Sequence, residues 1–314
     1  MASGQDYWVY LEKHIKFLPG KSDILIFGSN NMDSMIDNVP FVNSIFHPSD
    51  FSPASESAFA HALAIALRRK CRFTILHAGK SREAWTNFPA IRSTLERWGL
   101  LQPGSSKSAV SEELNVQIQK VAIDTDEPVE SILEYLERHP TDLIVLATEG
   151  REGLPRWIKP SVAEKVAEGS HTMTLFVPSS APGLVKYENG QISLKRILVP
   201  VDVDPSPVPS VVYAARASAL SDEPVEIILL NVGDGRVFET LEVEENPGIK
   251  WDKIQRDGNV VDEISSVAKD RKVDLIVMAT EGRKGFLDVL RGSITQQVVR
   301  MVPCPLLAVP VKKL

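Results

Sequence analysis

Residues 273–285 read VDLIVMATEGRKG and residues 141–153 read TDLIVLATEGREG, with ten of the thirteen positions identical. Two unrelated buried strands share apolar character but not an identical polar run behind it, so the chain carries an internal repeat. Three further pairs occur in the same order. IFHPSDFSPAS at 45–55 matches ILVPVDVDPSP at 197–207, RFTILHAG at 72–79 matches EIILLNVG at 226–233, and TLFVP at 174–178 matches LLAVP at 306–310. A tandem duplication accounts for all four.

Within each copy, apolar strands alternate with helical periodicity. Phe59, Ala62, Leu63, Ala66 and Leu67 fall on one face of a helix, and Val208, Val211, Val212, Ala215 and Ala219 do the same in the second copy. VESILEYLERH (129–139) and VVDEISSVAKD (260–270) supply the next helix. The DLIV runs are apolar throughout, as parallel strands covered on both faces must be. Strand–helix alternation of this kind predicts an α/β fold of two tandem Rossmann-like domains, each an open, doubly wound, five-stranded parallel sheet.

The copies differ in length at one place. Asp50 and Asp202 are 152 residues apart, Gly150 and Gly282 only 132. The first copy therefore has an insertion or a full helix in 81–108, helix-like around 90–100, where the second has the shorter acidic connection GRVFETLEVEENPG (235–248). The predicted organisation is an extension over 1–43, a first domain over 44–178, a linker over 179–193 (SSAPGLVKYENGQIS) and a second domain over 194–314. Within the extension, DYWVYLEKHIKF (6–17) reads as a short amphipathic helix and DILIFGS (23–29) as an extra strand.

Composition excludes several classes. The 314 residues are 43% hydrophobic with a net charge of −6, enough for buried cores. Up to residue 193 there are 19 basic against 23 acidic residues, and after it 16 against 18, so neither part offers a nucleic-acid surface. Two cysteines, Cys71 and Cys304, make no disulfide framework and read as small buried hydrophobes. No apolar run reaches the roughly 18–20 residues of a membrane span, and charges occupy the N-terminus where a signal peptide needs an apolar core. The expectation is a cytoplasmic protein without membrane contact.

Ligands of open parallel sheets bind beyond the carboxyl ends of the strands, where strand order reverses. After the fourth strand of the second copy the chain reads ATEGRKGFLDVLRGSITQQVV (279–299). Gly282 and Gly285 allow close backbone approach, and Gly292-Ser293 lead into a helical pattern whose N-terminus favours an anion. Backbone N–H groups with the Ser293 and Thr295 hydroxyls could hold a triphosphate there, with added charge from Arg283 or Arg291. The first copy reads Ala147-x2-Gly150-x9-Pro160-Ser161 at the same place. Pro160 has no N–H to offer and suits the first turn of a helix, so the fold should survive it while the phosphate site is degenerate.

These residues resemble the universal stress protein family, whose nucleotide-binding members carry Gly-x2-Gly-x9-Gly-(Ser/Thr) after the fourth strand and Pro-x-Asp after the first. Here the second copy reads Ala279-x2-Gly282-x9-Gly292-Ser293, with Pro200-Val201-Asp202 at the first strand, and VVRMVPCPLLAVP (298–310) resembles the family's last helix and strand. The resemblance implies a tandem member with the adenine-nucleotide alpha hydrolase-like fold and ATP, with Mg2+, in the second domain. Asp202 would contact the adenosine, Val232 and Met278 would line the base and ribose pocket, and Gly282, Gly292, Ser293, Ile294 and Thr295 would surround the phosphates. Ala279 replaces the first glycine, which reduces room but keeps the N–H. The resemblance also implies an intramolecular pseudo-dimer through 174–178 and 306–310, with pairing of two chains and an unidentified protein partner beyond it. Asp50 is retained in the first copy, which is expected to bind ATP poorly or not at all.

Other candidates carry less. All six histidines precede the linker; His47 and His77 end the first two strands, without the spacing of metal ligands. Glu149 and Glu281 occupy identical places and could act as bases, but a carboxylate beside phosphates repels them. Asp50, Asp202 and Asp204 could serve Mg2+ arriving with ATP. Trp85, Trp98, Trp157 and Trp251 lie outside the repeated strands. There is neither a nucleophile–base–orienter set nor a lysine in a P-loop, which disfavours an efficient hydrolase or kinase. The sequence therefore points to an ATP-binding stress-response module, with a slow ATPase or nucleotidyl-transfer enzyme using Glu281 or Asp202, and a scaffold without nucleotide, as the alternatives.

Overall fold

The computed structural model describes residues 41–80, 84–148, 162–179, 183–243, 245–281 and 294–311. The segments 6–17 and 23–29 lie outside these residues. In the first repeat the order is β1 (Ser44–Pro48), α1 (Pro53–Arg69), β2 (Arg72–Ala78), α2 (Ala84–Asn87), α3 (Ile91–Arg97), α4 (Ala109–Leu114), β3 (Gln117–Ile123), α5 (Pro128–Arg138), β4 (Leu143–Thr148), α6 (Val162–Ser170) and β5 (Met173–Pro178). The second runs β6 (Arg196–Pro200), α7 (Val208–Ser218), β7 (Val225–Val232), α8 (Val237–Thr240), β8 (Ile249–Arg256), α9 (Val260–Asp270), β9 (Leu275–Glu281), α10 (Ile294–Met301) and β10 (Leu306–Val311).

The strands form one sheet in the order β3-β2-β1-β4-β5-β10-β9-β6-β7-β8. Pairing inside each repeat is parallel, and the repeats meet through β5 and β10, which run antiparallel with Leu306 opposite Phe176 and Ala308 opposite Thr174. Two five-stranded Rossmann-like sheets thus join along their last strands. Alternate strand residues feed two cores. Ile45, Leu143, Ile197 and Val277 lie with α1 and α7 on one face; Phe46, Ile144, Leu198 and Met278 lie with α5, α6, α9 and α10 on the other.

Equivalent ties hold the strand starts in both repeats. Asp142 Oδ2 accepts from the Asn43 and Ser44 backbone N–H groups, and Asp274 Oδ2 accepts from those of Lys195 and Arg196. The helices differ from their expected faces. α1 is buried from Ala58 to Ala66 on every side, because the chain after β5 lies over its outer face, where Val185 N–H donates to His61 Nε2. In α7 the buried residues are Ser210, Val211, Ala214, Arg216 and Ala217 rather than Val208, Val212, Ala215 and Ala219.

Among the described residues, the insertion of the first repeat (81–108) contains two short helices, α2 and α3, and α4 follows directly after it. The stretch expected to be a linker is packed. Leu184 and Val185 are buried, Val185 bridges Ile192, and Trp98 Nε1 donates to the Tyr187 carbonyl oxygen at 2.9 Å. Trp98 is therefore an internal contact, whereas Trp251 belongs to β8, Trp85 is 65% exposed, and Trp157 lies outside the described residues.

Candidate functional site

The second repeat reverses strand order at β6, which has β7 on one side and β9 on the other. β6 stays in register with β7 as far as Pro200–Leu230, but its pairing with β9 ends at Leu198–Ile276. β9 instead follows β10 to Glu281–Val311. The two strands therefore part towards their carboxyl ends, and the crevice between them is the place where such sheets bind ligands.

Several expected residues border it. Pro200 ends β6, Val201 is buried, and Asp202 is exposed, its Oδ1 accepting the Val203 N–H at 2.7 Å. Val232 ends β7, and Met278 and Ala279 lie near the end of β9, with Val232 and Met278 on the same sheet face. Helix α10 begins at Ile294, which is 44% exposed, with Thr295 buried behind it. Both come from the face that carries Met278, since Val298 of α10 packs in that core. Gly282, Arg283, Arg291, Gly292 and Ser293 lie outside the described residues, as do Glu149, Gly150, Pro160 and Ser161. Glu281 is the last residue of β9.

Two residues at this crevice were not singled out in the sequence. Thr280 is 2% exposed, and its buried hydroxyl has no hydrogen-bond partner among the described residues. By strand alternation it shares the face of Met278. Asn231, 3% exposed, donates through Nδ2 to the Val201 carbonyl oxygen and accepts the Gly235 N–H on Oδ1, both at 2.9 Å. The available signal was a polar residue at the matching end of both second strands, His77 and Asn231.

The corresponding crevice of the first repeat is built differently. β1 leaves β4 after Phe46–Ile144, and His47 spans the parting by donating from Nδ1 to the Val145 carbonyl oxygen at 2.9 Å. A carbonyl only accepts, so Nδ1 carries the proton and Nε2 accepts from Ser55 Oγ at 3.2 Å, which in turn accepts from Ser49 Oγ at 3.1 Å. His47 is fully buried, and that burial pushes its pKa down to about 4. The second repeat has Val199, Val201 and Pro207 at the equivalent positions, so this polar chain is private to the first. Asp50 is exposed and accepts the Ser52 N–H. Burial also pushes the Cys71 and Cys304 thiols up to about 12, which makes both inert packing groups.

Comparison with known proteins agrees with this architecture. The universal stress protein family model matches residues 43–178 and 203–310. A universal stress protein of Mycobacterium tuberculosis (strain ATCC 25618 / H37Rv) is 20% identical over 292 residues, covering 82% of this chain and 94% of its own. The crystal structure of a universal stress protein from Archaeoglobus fulgidus DSM 4304 superposes with a TM-score of 0.56 at 17% identity, covering 86% of this chain and 96% of that one. A universal stress protein solved in complex with cAMP matches 44% of this chain and 98% of its own, at 20% identity and a TM-score of 0.31. Among the described residues, no helix is long and apolar enough to cross a membrane.

Proposed function

Because the chain belongs to the universal stress protein family, we propose that its second repeat binds ATP, with Mg2+, and acts as a nucleotide-responsive stress-response module. The observation that carries this reading is the parting of β6 from β9 while each stays paired on its other side. The crevice has an exposed carboxylate on Asp202, apolar cover from Val232 and Met278, and a helix start at Ile294 on one face. The unpartnered Thr280 hydroxyl is a further polar group on that face, so the residues fit a nucleoside polyphosphate.

In this reading Asp202 accepts hydrogen bonds from the nucleoside, and Val232 and Met278 cover the base. Gly282, Gly292 and Ser293, with Ile294 and Thr295 at the start of α10, hold phosphate oxygens through N–H groups and hydroxyls. Mg2+ neutralises part of the phosphate charge and keeps most of its waters. The first repeat contributes support rather than a second site. His47 closes its parting, and Pro160 lacks the N–H that Gly292 offers. Binding that changes the conformation of the 282–293 loop would alter the surface presented to other proteins.

Equilibrium dialysis with labelled ATP and Mg2+, run on the wild type and on Asp202→Ala, tests this reading. Saturable binding weakened in the variant supports it, and no binding by the wild type ends it. Phosphate release at background over long incubation sets aside the enzymatic alternative.

A further inference from the structure

We propose that Asn231 is the positioning residue of the second repeat's crevice, fixing the Val201–Asp202 turn where a nucleoside needs it; this rests on the nucleotide reading above. Asn231 stands at the end of β7, between the loops that leave β6 and β7. Its carboxamide uses both ends. Nδ2–H donates to the Val201 carbonyl oxygen and Oδ1 accepts from Gly235 N–H, each at 2.9 Å. One buried side chain thereby ties the loop carrying Asp202 to the loop after Val232.

The first repeat retains half of this arrangement with different chemistry. His77 occupies the equivalent position and donates from Nδ1 to the Ser49 carbonyl oxygen at 2.8 Å. Ser49 is the counterpart of Val201, and both N–H groups bond the neighbouring strand in the same way, Ser49 to Leu76 and Val201 to Leu230, each at 2.8 Å. The bond to the carbonyl is therefore common to both repeats, whereas the residue making it is not. Above that bond the two repeats diverge. His77 stacks on Phe51 with ring centroids 4.1 Å apart, so an aromatic lid settles onto the first repeat's turn. Asn231 offers no such platform, and the residue matching Phe51 is Val203, 62% exposed. Among the described residues, the second repeat's turn is held from below and open above. Loss of the carboxamide would leave the Val201 carbonyl without its side-chain donor and free the turn to move.

The test uses Asn231→Leu, which keeps the volume and removes both bonds, and Asn231→His, which restores the donor as His77 does. MgATP binding is measured by equilibrium dialysis near pH 8, well below each protein's unfolding temperature. Binding is expected to weaken about tenfold in Asn231→Leu, the upper end for losing the bond that holds the Val201 carbonyl, and to recover largely in Asn231→His. A residue that merely stabilises the fold would lower Tm while leaving the affinity of the folded protein unchanged. Equal affinity in all three proteins overturns the proposal and leaves the nucleotide reading standing. No binding by the wild type overturns both. If Asn231→Leu does not fold, a folded Asn231→His that binds supports the proposal, and a folded one that does not bind overturns it.

Discussion

His47 Nδ1 donates to the carbonyl oxygen of Val145, 2.9 Å away across the parting of β1 and β4, and its other nitrogen accepts from Ser55. The bond accepted at Nε2 requires the neutral ring. The same holds at His61, which donates from Nδ1 to the Ser57 carbonyl oxygen and accepts the Val185 N–H on Nε2. Burial lowers both pKa values from 6.5 to about 4. The unfolded chain therefore binds more protons than the folded one between these values, and stability rises with pH across that window. It is complete above about 6.5 and lost as pH falls towards 4, by on the order of 3 kcal/mol per histidine. Thermal unfolding across pH 4–8 should show Tm falling below pH 6.5. His47→Val, which installs the residue found at Val199, should flatten part of that slope while lowering Tm at pH 7.5, because Val145 and Ser55 lose their partner.

The strap over the first repeat depends on close backbone approach. Gly190 has φ +68°, and a Cβ there would come within 2.3 Å of the Trp98 ring. Trp98 cannot retreat without breaking its hydrogen bond to Tyr187. Gly190→Ala should cost about 1–3 kcal/mol in urea unfolding, from strain at a left-handed position and overpacking together.

The seam between the repeats is a buried antiparallel pairing, with Leu307 opposite Leu175, 1% and 3% exposed. Removing a side chain there should be felt by both repeats. Leu307→Ala is expected to destabilise by about 2–5 kcal/mol, and tryptophan fluorescence and circular dichroism should report one transition, since a single sheet crosses the seam.

Asp202 is exposed at the end of β6, and its carboxylate bonds only the next backbone N–H among described residues. Asp202→Ala should leave Tm within about 0.5 kcal/mol equivalent of the wild type, as for surface substitutions away from structural features. The same change should weaken MgATP about 10- to 100-fold, the range for a hydrogen bond to a charged group.

The core of this architecture was legible because it is written in period and repetition. The DLIV strands, the paired first strands and the last strands could be located from continuous apolar runs and from their duplicates. The third strands, β3 and β8, could not: each sits at a sheet edge, and Gln119 and Lys253 are exposed where the inner strands in register with them bury Phe46 or Leu229 and Val199. The strap was hidden for a different reason. GLVKYENGQIS has turn composition, and its packing depends on His61 and Trp98, 124 and 89 residues away from their partners. At the crevice, Asp202, Val232 and Met278 came from the resemblance to the universal stress protein family. Asn231 and Thr280 did not, since a polar residue ending an apolar strand is visible only once the facing loop is known.

Everything proposed for the crevice requires that one nucleotide binds per chain, in the second repeat. Isothermal titration of MgATP into the wild type and into Gly292→Pro, which copies Pro160 of the first repeat, decides it. One site per chain is expected in the wild type and none in the variant. Two sites per chain, or unchanged binding in Gly292→Pro, would contradict it.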